Sequence, residues 1–306
     1  MVEAVADAHA LVAGYRPRPG VYDECIDEHG RVRAHWAAFV RRFAALTPES
    51  RDDQARALER RLRASGVAFN VYARPDDRKA AWDLDLWPVI LADHDWRTLE
   101  AAVAQRVRVA EATLGDVYGR QRLLREGALP PALVFGNEEY LAPCAQWPVD
   151  VARGADGRWI VLADQADVAN GHGWVLASRV ALAQTLGPLF LEEGVHRLAG
   201  YAGHLNDALR AAAGDRGRVV MVSAGPDDAG YFSHAFLARY LGIPLVGAAD
   251  LAQRDGRLFT KSLEGLRPVG AVLRKRLGRE LDPLHLPGFA GPGTPGLLDA
   301  ARLGHV

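Results

Sequence analysis

The sequence predicts a mixed α/β protein, in which an α+β lobe of helices and short strands precedes a Rossmann-like α/β lobe. Three observations carry this prediction. Arg218–Ser223 is an apolar run followed by a glycine turn, a helical stretch from Tyr231 to Leu241 and a second apolar run at Gly242–Val246. That order implies a parallel strand pair joined by a right-handed crossover. Upstream, apolar residues recur at helical spacing in several long segments, and short alternating or wholly apolar runs lie between them.

Residues 1–30 read as an extended N-terminal segment, with Pro17, Pro19, Gly20 and Gly30 as breakers. The α+β lobe is expected over 31–215 and the Rossmann-like lobe over 216–306. From Val32 to Leu46, Trp36, Phe39, Val40 and Phe43 define a helix face. A second helix runs from Pro48 to Ser65, with Thr47 as N-cap and Gly66 as its stop. Val67–Tyr72 alternates as a strand, and Val89–Leu91 is a short apolar one. Asp95 is placed to cap a long helix from Trp96 to about Glu126, which Gly115 and Gly119 bend or divide. Ala132–Phe135 reads as a strand after Pro130-Pro131. Trp159–Ala163 reads as a buried strand whose polar tip, Asp164–Gly173, leads to a helix bearing Arg179. A helix at about 197–213 precedes the Rossmann-like lobe, where Leu258–Thr260 and Ala271–Arg274 add strands and Leu297 opens a last helix.

Composition narrows the function classes. The chain has 306 residues, 49% hydrophobic and 25% charged, enough for two domains with a substantial core. Its 37 Lys and Arg against 38 Asp and Glu leave a net charge of -1, which gives no long-range attraction for nucleic acid or anionic membrane. Cys25 and Cys144 are far apart, so neither a disulfide framework nor a thiolate zinc site is expected. The first residues lack the basic region of a signal peptide, and no apolar run reaches membrane-spanning length. These features predict a cytoplasmic protein with no nucleic-acid or membrane partner.

The chain lacks a G-x-x-x-x-G-K-[ST] loop, a G-x-G-x-x-G after a strand, and an H-E-x-x-H pair. The prolines in Gly291–Gly296 remove donors that a phosphate cradle needs, which makes that segment a turn. Two loops stand out instead. Asp164–Gly173 and Gly225–Tyr231 each follow the carboxyl end of an apolar strand and lead into a helix, where ligands of open α/β sheets bind. From the residues alone, both remain equally well explained as glycine-shaped turns.

Asp164-Gln-Ala-Asp-Val-Ala-Asn-Gly-His-Gly-Trp-Val-Leu-Ala-Ser-Arg179 resembles the D-R-T-Q-A-P-S-G-x-G-Y-x-L-E-N-R segment of circularly permuted ATP-grasp proteins. Collinear pieces extend the resemblance from Tyr22 to the end. They include Tyr22-Asp-Glu24, Gln105-Arg106, Asp116–Gly119, Leu129–Gly136, Gly225-Pro226, Leu237–Gly242, Arg254-Asp-Gly256 and Asp282-Pro283. The resemblance implies an ATP-grasp-like α+β lobe followed by the Rossmann-like pre-ATP-grasp lobe. It also implies ATP- and Mg-dependent C–N bond formation through an acyl phosphate, as in the similar glutathionylspermidine and glutathione synthetases. The implied substrates are peptides, amino acids or polyamines. Arg179 is implied as the phosphate-binding catalytic group, and Asp164, Gln165 and Gly171 as further nucleotide-site residues, with Asp164 the Mg ligand. Asp150, Gly225, Tyr231, His234 and Arg274 are implied on the substrate side.

The sequence also departs from the pattern. Ala177 and Ser178 stand where relatives carry Glu and Asn, Ala163-Asp164-Gln165 replaces an E-D-N strand tip, and Ala169-Asn170 replaces P-S. Tyr231-Phe-Ser-His234 replaces Y-F-E-H. Arg274-Lys275 is followed by Arg276-Leu-Gly-Arg279 where relatives have aspartates. The chain also stops before the segment that clamps adenine in relatives. The expectation is a component or fragment of a ligase, completed by a second subunit or downstream domain carrying the grasp fold. The alternative is a non-catalytic binding or scaffold subunit.

Overall fold

Helix starts and hydrophobic faces set the first lobe. In the computed structural model, which describes residues 11–69, 80–137, 140, 149–165, 168–285 and 293–306, a 3-10 turn (Ala34–Trp36) leads into α1 (Ala37–Ala44). The Thr47 hydroxyl accepts the Ser50 N–H at 3.2 Å and starts α2 (Pro48–Ala64), with Pro48 in the first turn where a missing N–H costs nothing. Trp36, Phe39 and Val40 pack with Leu58 and Leu62 of α2 and with Leu86. Trp87 lies edge-on to Phe39 at 4.9 Å between ring centres. Burying each such side chain contributes about 2 kcal/mol.

Several local expectations are corrected. Two residues of the 67–72 strand fall within a described element: β1 (Ala68–Phe69) pairs antiparallel with β2 (Ala80–Ala81), and residues 70–72 lie outside the described residues, as does Cys144. Val89–Leu91 forms no strand. The long helix, α3, spans Asp93–Val117 with Ala92 at its N-cap. Asp95 caps nothing, because its carboxylate accepts from Arg153 at 2.8 Å. After α3, Gln121 turns left-handed at φ 54, and Asp116 accepts the Arg122 and Leu123 N–H groups at 3.0 and 2.9 Å to start α4 (Arg122–Arg125). The predicted strand at 132–135 is a short helix, α5 (Pro131–Phe135), with Pro131 at its first position.

β3 (Val149–Arg153) and β4 (Trp159–Asp164) form an isolated antiparallel ribbon. The sequence predicts β4 as a buried strand, yet Ile160 and Leu162 are 49% and 67% exposed, because no described layer covers the ribbon. α6 (His172–Thr185) and α7 (Gly187–Glu192) return to the first core through Ala177, Ala181, Leu186 and Leu189.

The second lobe follows the expected unit. β5 (Arg218–Ser223), α9 (Tyr231–Leu241) and β6 (Leu245–Val246) make a parallel crossover, preceded by α8 (Ala199–Ala213). β7 (Leu251–Arg254), β8 (Arg257–Ser262) and β9 (Gly265–Lys275) complete a sheet ordered β6-β5-β9-β8-β7, in which β5 and β9 are parallel. Asp255 and Gly256, at φ 49 and 72, turn the chain between β7 and β8 with the twist that a two-residue hairpin favours. Alternation along β5 sends Val220 and Val222 to one face and Met221 to the other. The first face packs on α10 (Leu297–Arg302), whose Leu298 N–H is received by the buried Asp282 at 3.0 Å. The second packs on α9, with Leu176 of α6 and Ala202 of α8. Among the described residues, no helix is long and apolar enough to cross a membrane.

Candidate functional site

Two strand tips hold most of the polar residues singled out from the sequence. At the first, β5 and β9 run in parallel, so Ser223 and Lys275 are register neighbours at their carboxyl ends. The buried Ser223 Oγ lies 2.9 Å from His234 Nδ1, on the first turn of α9, and accepts the Gly225 N–H at 3.3 Å. Gly225 has φ 102, which the turn off the strand requires. His234 Nε2 lies 3.3 Å from Asn170 Oδ1. A neutral imidazole protonated on Nε2 satisfies both contacts, accepting from Ser223 and donating to Asn170. Burial enforces that state by pushing the His234 pKa down to about 4, with the Asp228 carboxylate opposing and Lys275 reinforcing the fall. Tyr231 is half-buried, and its N–H donates to the Asp228 carbonyl at 3.0 Å.

The loop before α6 is tied to this tip. Besides the Asn170 contact, Gly173 N–H donates to Ser233 Oγ at 3.0 Å and Lys275 Nζ donates to the Ala169 carbonyl. A Cβ at Gly173 would stand 2.2 Å from the Ser233 carbonyl oxygen, so α6 and α9 cross here at backbone contact. Gly171, at φ 89, is the N-cap of α6. His172 stacks on Tyr201 at 5.6 Å, and its pKa is pushed down to about 4 by burial and then by Lys275. Lys275 is 4% exposed, and burial lowers its pKa to about 8. Arg274, beside it, donates to the Arg276 carbonyl at 3.4 Å.

The second tip is the end of the β3–β4 ribbon. Arg106 of α3 forks onto Asp164, its Nε donating to Oδ1 at 2.6 Å and a terminal nitrogen donating to Oδ2. Gln165 donates its amide to Asp150 Oδ2 at 2.9 Å. Arg179 is elsewhere engaged: it donates to the His196 carbonyl at 3.2 Å, and its guanidinium sits 5.5 Å over the Phe190 ring. Asp164 and Arg179, which the resemblance assigns to one nucleotide site, thus have separate partners. The departures nearby have packing roles. Ala177 is buried in the first core, and Ser178 Oγ accepts the Trp82 indole N–H at 3.1 Å. Among the described residues, no group of three His, Cys, Asp or Glu could hold a metal ion. With both Asp164 oxygens taken by a guanidinium, the residues present do not fit a magnesium ion.

Sequence reasoning did not single out Ser223, Lys275 or the pairing of Arg106 with Asp164. For the first two a signal exists: each is a polar residue at the carboxyl end of a strand with an apolar centre. For the pair, 58 residues apart, none does. Arg153 is a further case, lying on the Tyr22 and Trp159 rings and bonded to Glu24 and Asp95.

Comparison with known proteins adds a family. The sequence model described as circularly permuted ATP-grasp type 2 matches residues 88–306. The uncharacterized protein Rv2567 of Mycobacterium tuberculosis is 32% identical over 335 residues, which cover 98% of this chain and 38% of that protein. A protein of Frankia alni named putative glutamate–cysteine ligase 2-3 is 33% identical over 308 residues, covering 95% of this chain and 35% of its own. The chain therefore spans well under half the length of these two relatives. Among solved structures, a glutathione synthetase like-effector (GSS30) from Globodera pallida in apoform has a TM-score of 0.45 at 13% identity. It covers 83% of this chain and 64% of its own, a likeness too distant to carry an argument.

Proposed function

Because this chain belongs to the circularly permuted ATP-grasp type 2 family, we propose that it takes part in ATP-dependent joining of a carboxylate to an amine. In that reaction a substrate carboxylate attacks the terminal phosphoryl group of ATP, forming an acyl phosphate and releasing ADP. The amine then attacks the acyl carbon, an amide forms, phosphate leaves and the nitrogen loses a proton. The substrate class is an amino acid or peptide, in keeping with the name of the Frankia alni relative.

The observation that carries this reading is the meeting of the two strand-tip loops. The 168–173 segment meets the first turn of α9 through Asn170–His234 and Gly173–Ser233 and the end of β9 through Ala169–Lys275, at the carboxyl ends of two parallel strands. There the chain offers a buried cation, neutral imidazoles and the amino end of an 11-residue helix, a setting suited to a negatively charged group. Gly225, Tyr231, His234 and Arg274 belong to this substrate side. Arg179 would meet phosphate only by leaving Phe190 and His196. Asp164 would have to exchange Arg106 for another cation, so no step is routed through magnesium.

A second reading, a non-catalytic binding or scaffold subunit, draws support from that same Arg106–Asp164 fork and from the burial of Ala177, where the resembled pattern has Glu. Calorimetric titration of the purified chain with ATP and magnesium separates the two. Saturable heat that Arg179→Ala removes supports the ligase role. Equal heat from both proteins takes Arg179 out of it, and no heat from either supports the scaffold.

A further inference from the structure

Lys275 is a positive charge in the wrong place for a purely structural residue. It is 4% exposed, and its Nζ meets the Ala169 carbonyl. Among the described residues its partner is that carbonyl, and no charged side chain offsets the effect of burial on its pKa. A buried ammonium without a counter-ion is among the costlier things a fold can hold, and a backbone carbonyl, carrying only a partial charge, offsets little of that cost. An apolar side chain of similar length would fill the same space without it.

We propose that Lys275 is the cation of a carboxylate-binding seat at the tips of β5 and β9, and that the Ala169 carbonyl oxygen fills this seat in the present structure.

Three features define the ligand. The strand register puts Ser223 beside Lys275, and its hydroxyl, bonded to His234 and to the Gly225 N–H, makes that corner polar. His234 and His172 border it from α9 and α6, and both are held neutral by burial. The face shared by Ser223 and Lys275 therefore presents a single positive charge, because Arg274 alternates to the other face with Val222, and one charge matches a monoanionic carboxylate better than a dianionic phosphoryl group. The third feature is confinement. Backbone contact between Gly173 and Ser233 leaves little room beside the seat, which suits a planar group of two oxygens that takes the place of one carbonyl. That this carboxylate is the one to be activated rests on the ligase reading; the anion seat itself does not.

The chain has three lysines, Lys79, Lys261 and Lys275, so lysine-selective carbon-13 labelling gives three side-chain signals to follow by NMR. Lys275→Arg assigns the third. Titration with sodium acetate and with sodium glutamate, against sodium chloride at matched ionic strength, should move the Lys275 signal saturably, and chloride should not. Lys275→Gln should weaken carboxylate binding by about tenfold or more, as expected when a charge-assisted bond of about 1.5–3 kcal/mol is lost. A Lys275 signal that ignores both carboxylates overturns the seat, and so does a Lys275→Gln protein, folded by its amide spectrum, that binds them undiminished. Inorganic phosphate binding more tightly than acetate would overturn the assignment to a carboxylate. No ATP enters the measurement, so failure of the seat and failure of the ligase role are told apart.

Discussion

The two strand tips solve the placement of charge in opposite ways. At the end of β4, Asp164 and Arg106 pair at the surface, where water already stabilises both ions and the fork adds geometry more than energy. At the ends of β5 and β9, Lys275 sits inside the protein with a carbonyl for company, and two histidines are kept neutral around it. The first arrangement can open and re-form at little cost. The second is maintained against its cost by helix crossings at backbone contact. Electrostatic strain is thus concentrated at one tip, the one where the carboxylate seat is proposed.

Substitutions test this contrast in descending order of effect. The largest change is expected at Gly173. A methyl group there would push α9 away from α6, and Gly173→Ala should lose about 3 kcal/mol in a denaturant melt. A loss near zero would mean that the crossing is slack and the buried tip is not rigidly held.

The acid limb comes next. His234 and His172 fall from an ordinary pKa of 6.5 to about 4 on folding, so between those values the unfolded chain binds more protons than the folded one. Stability should therefore be full above pH 6.5 and decline as the pH drops toward 4. His234→Gln should remove about half of that decline, since His172 keeps its share. An unchanged slope would place the titrating groups elsewhere.

Lys275 gives a smaller effect of mirrored position. Its pKa falls from 10.5 to about 8, so stability should rise as the pH climbs from about 8 to 10.5, where the unfolded chain still holds the proton. Lys275→Met should flatten that rise and be at least as stable as the parent at pH 7. A less stable Met variant would show that the ammonium is well compensated, and the contrast between the tips would shrink. Arg106→Ala should change least. Its melting temperature should stay close to that of the parent and match it in high salt, and a large drop would show that the surface fork holds the ribbon in place.

Much of the fold was legible in the sequence because it is written in short-range signals. Thr47 with Pro48 marks a helix start, the α9 limits follow from a glycine at each end, and the apolar runs at 218–223 and 271–274 read as strands. The misplacements share a cause. Asp95 has the composition of a cap, but Arg153, 58 residues away, claims its carboxylate. Ala132–Phe135 has strand-like side chains, yet Pro131 fixes the backbone angle that begins a helix. Trp159–Ala163 has the sequence of a buried strand and lies on an open ribbon.

By itself, then, the sequence determined the early helices, the parallel crossover and the two loops that bear polar residues at strand tips. Only the tertiary structure decided how the charges are shared: Arg106 with Asp164, Arg153 with Glu24 and Asp95, and Lys275 with a carbonyl 106 residues upstream. Capping and alternation act within a few residues and leave their mark in local spelling. Ion pairing and desolvation act through space, and which side chains meet is settled only when the layers pack.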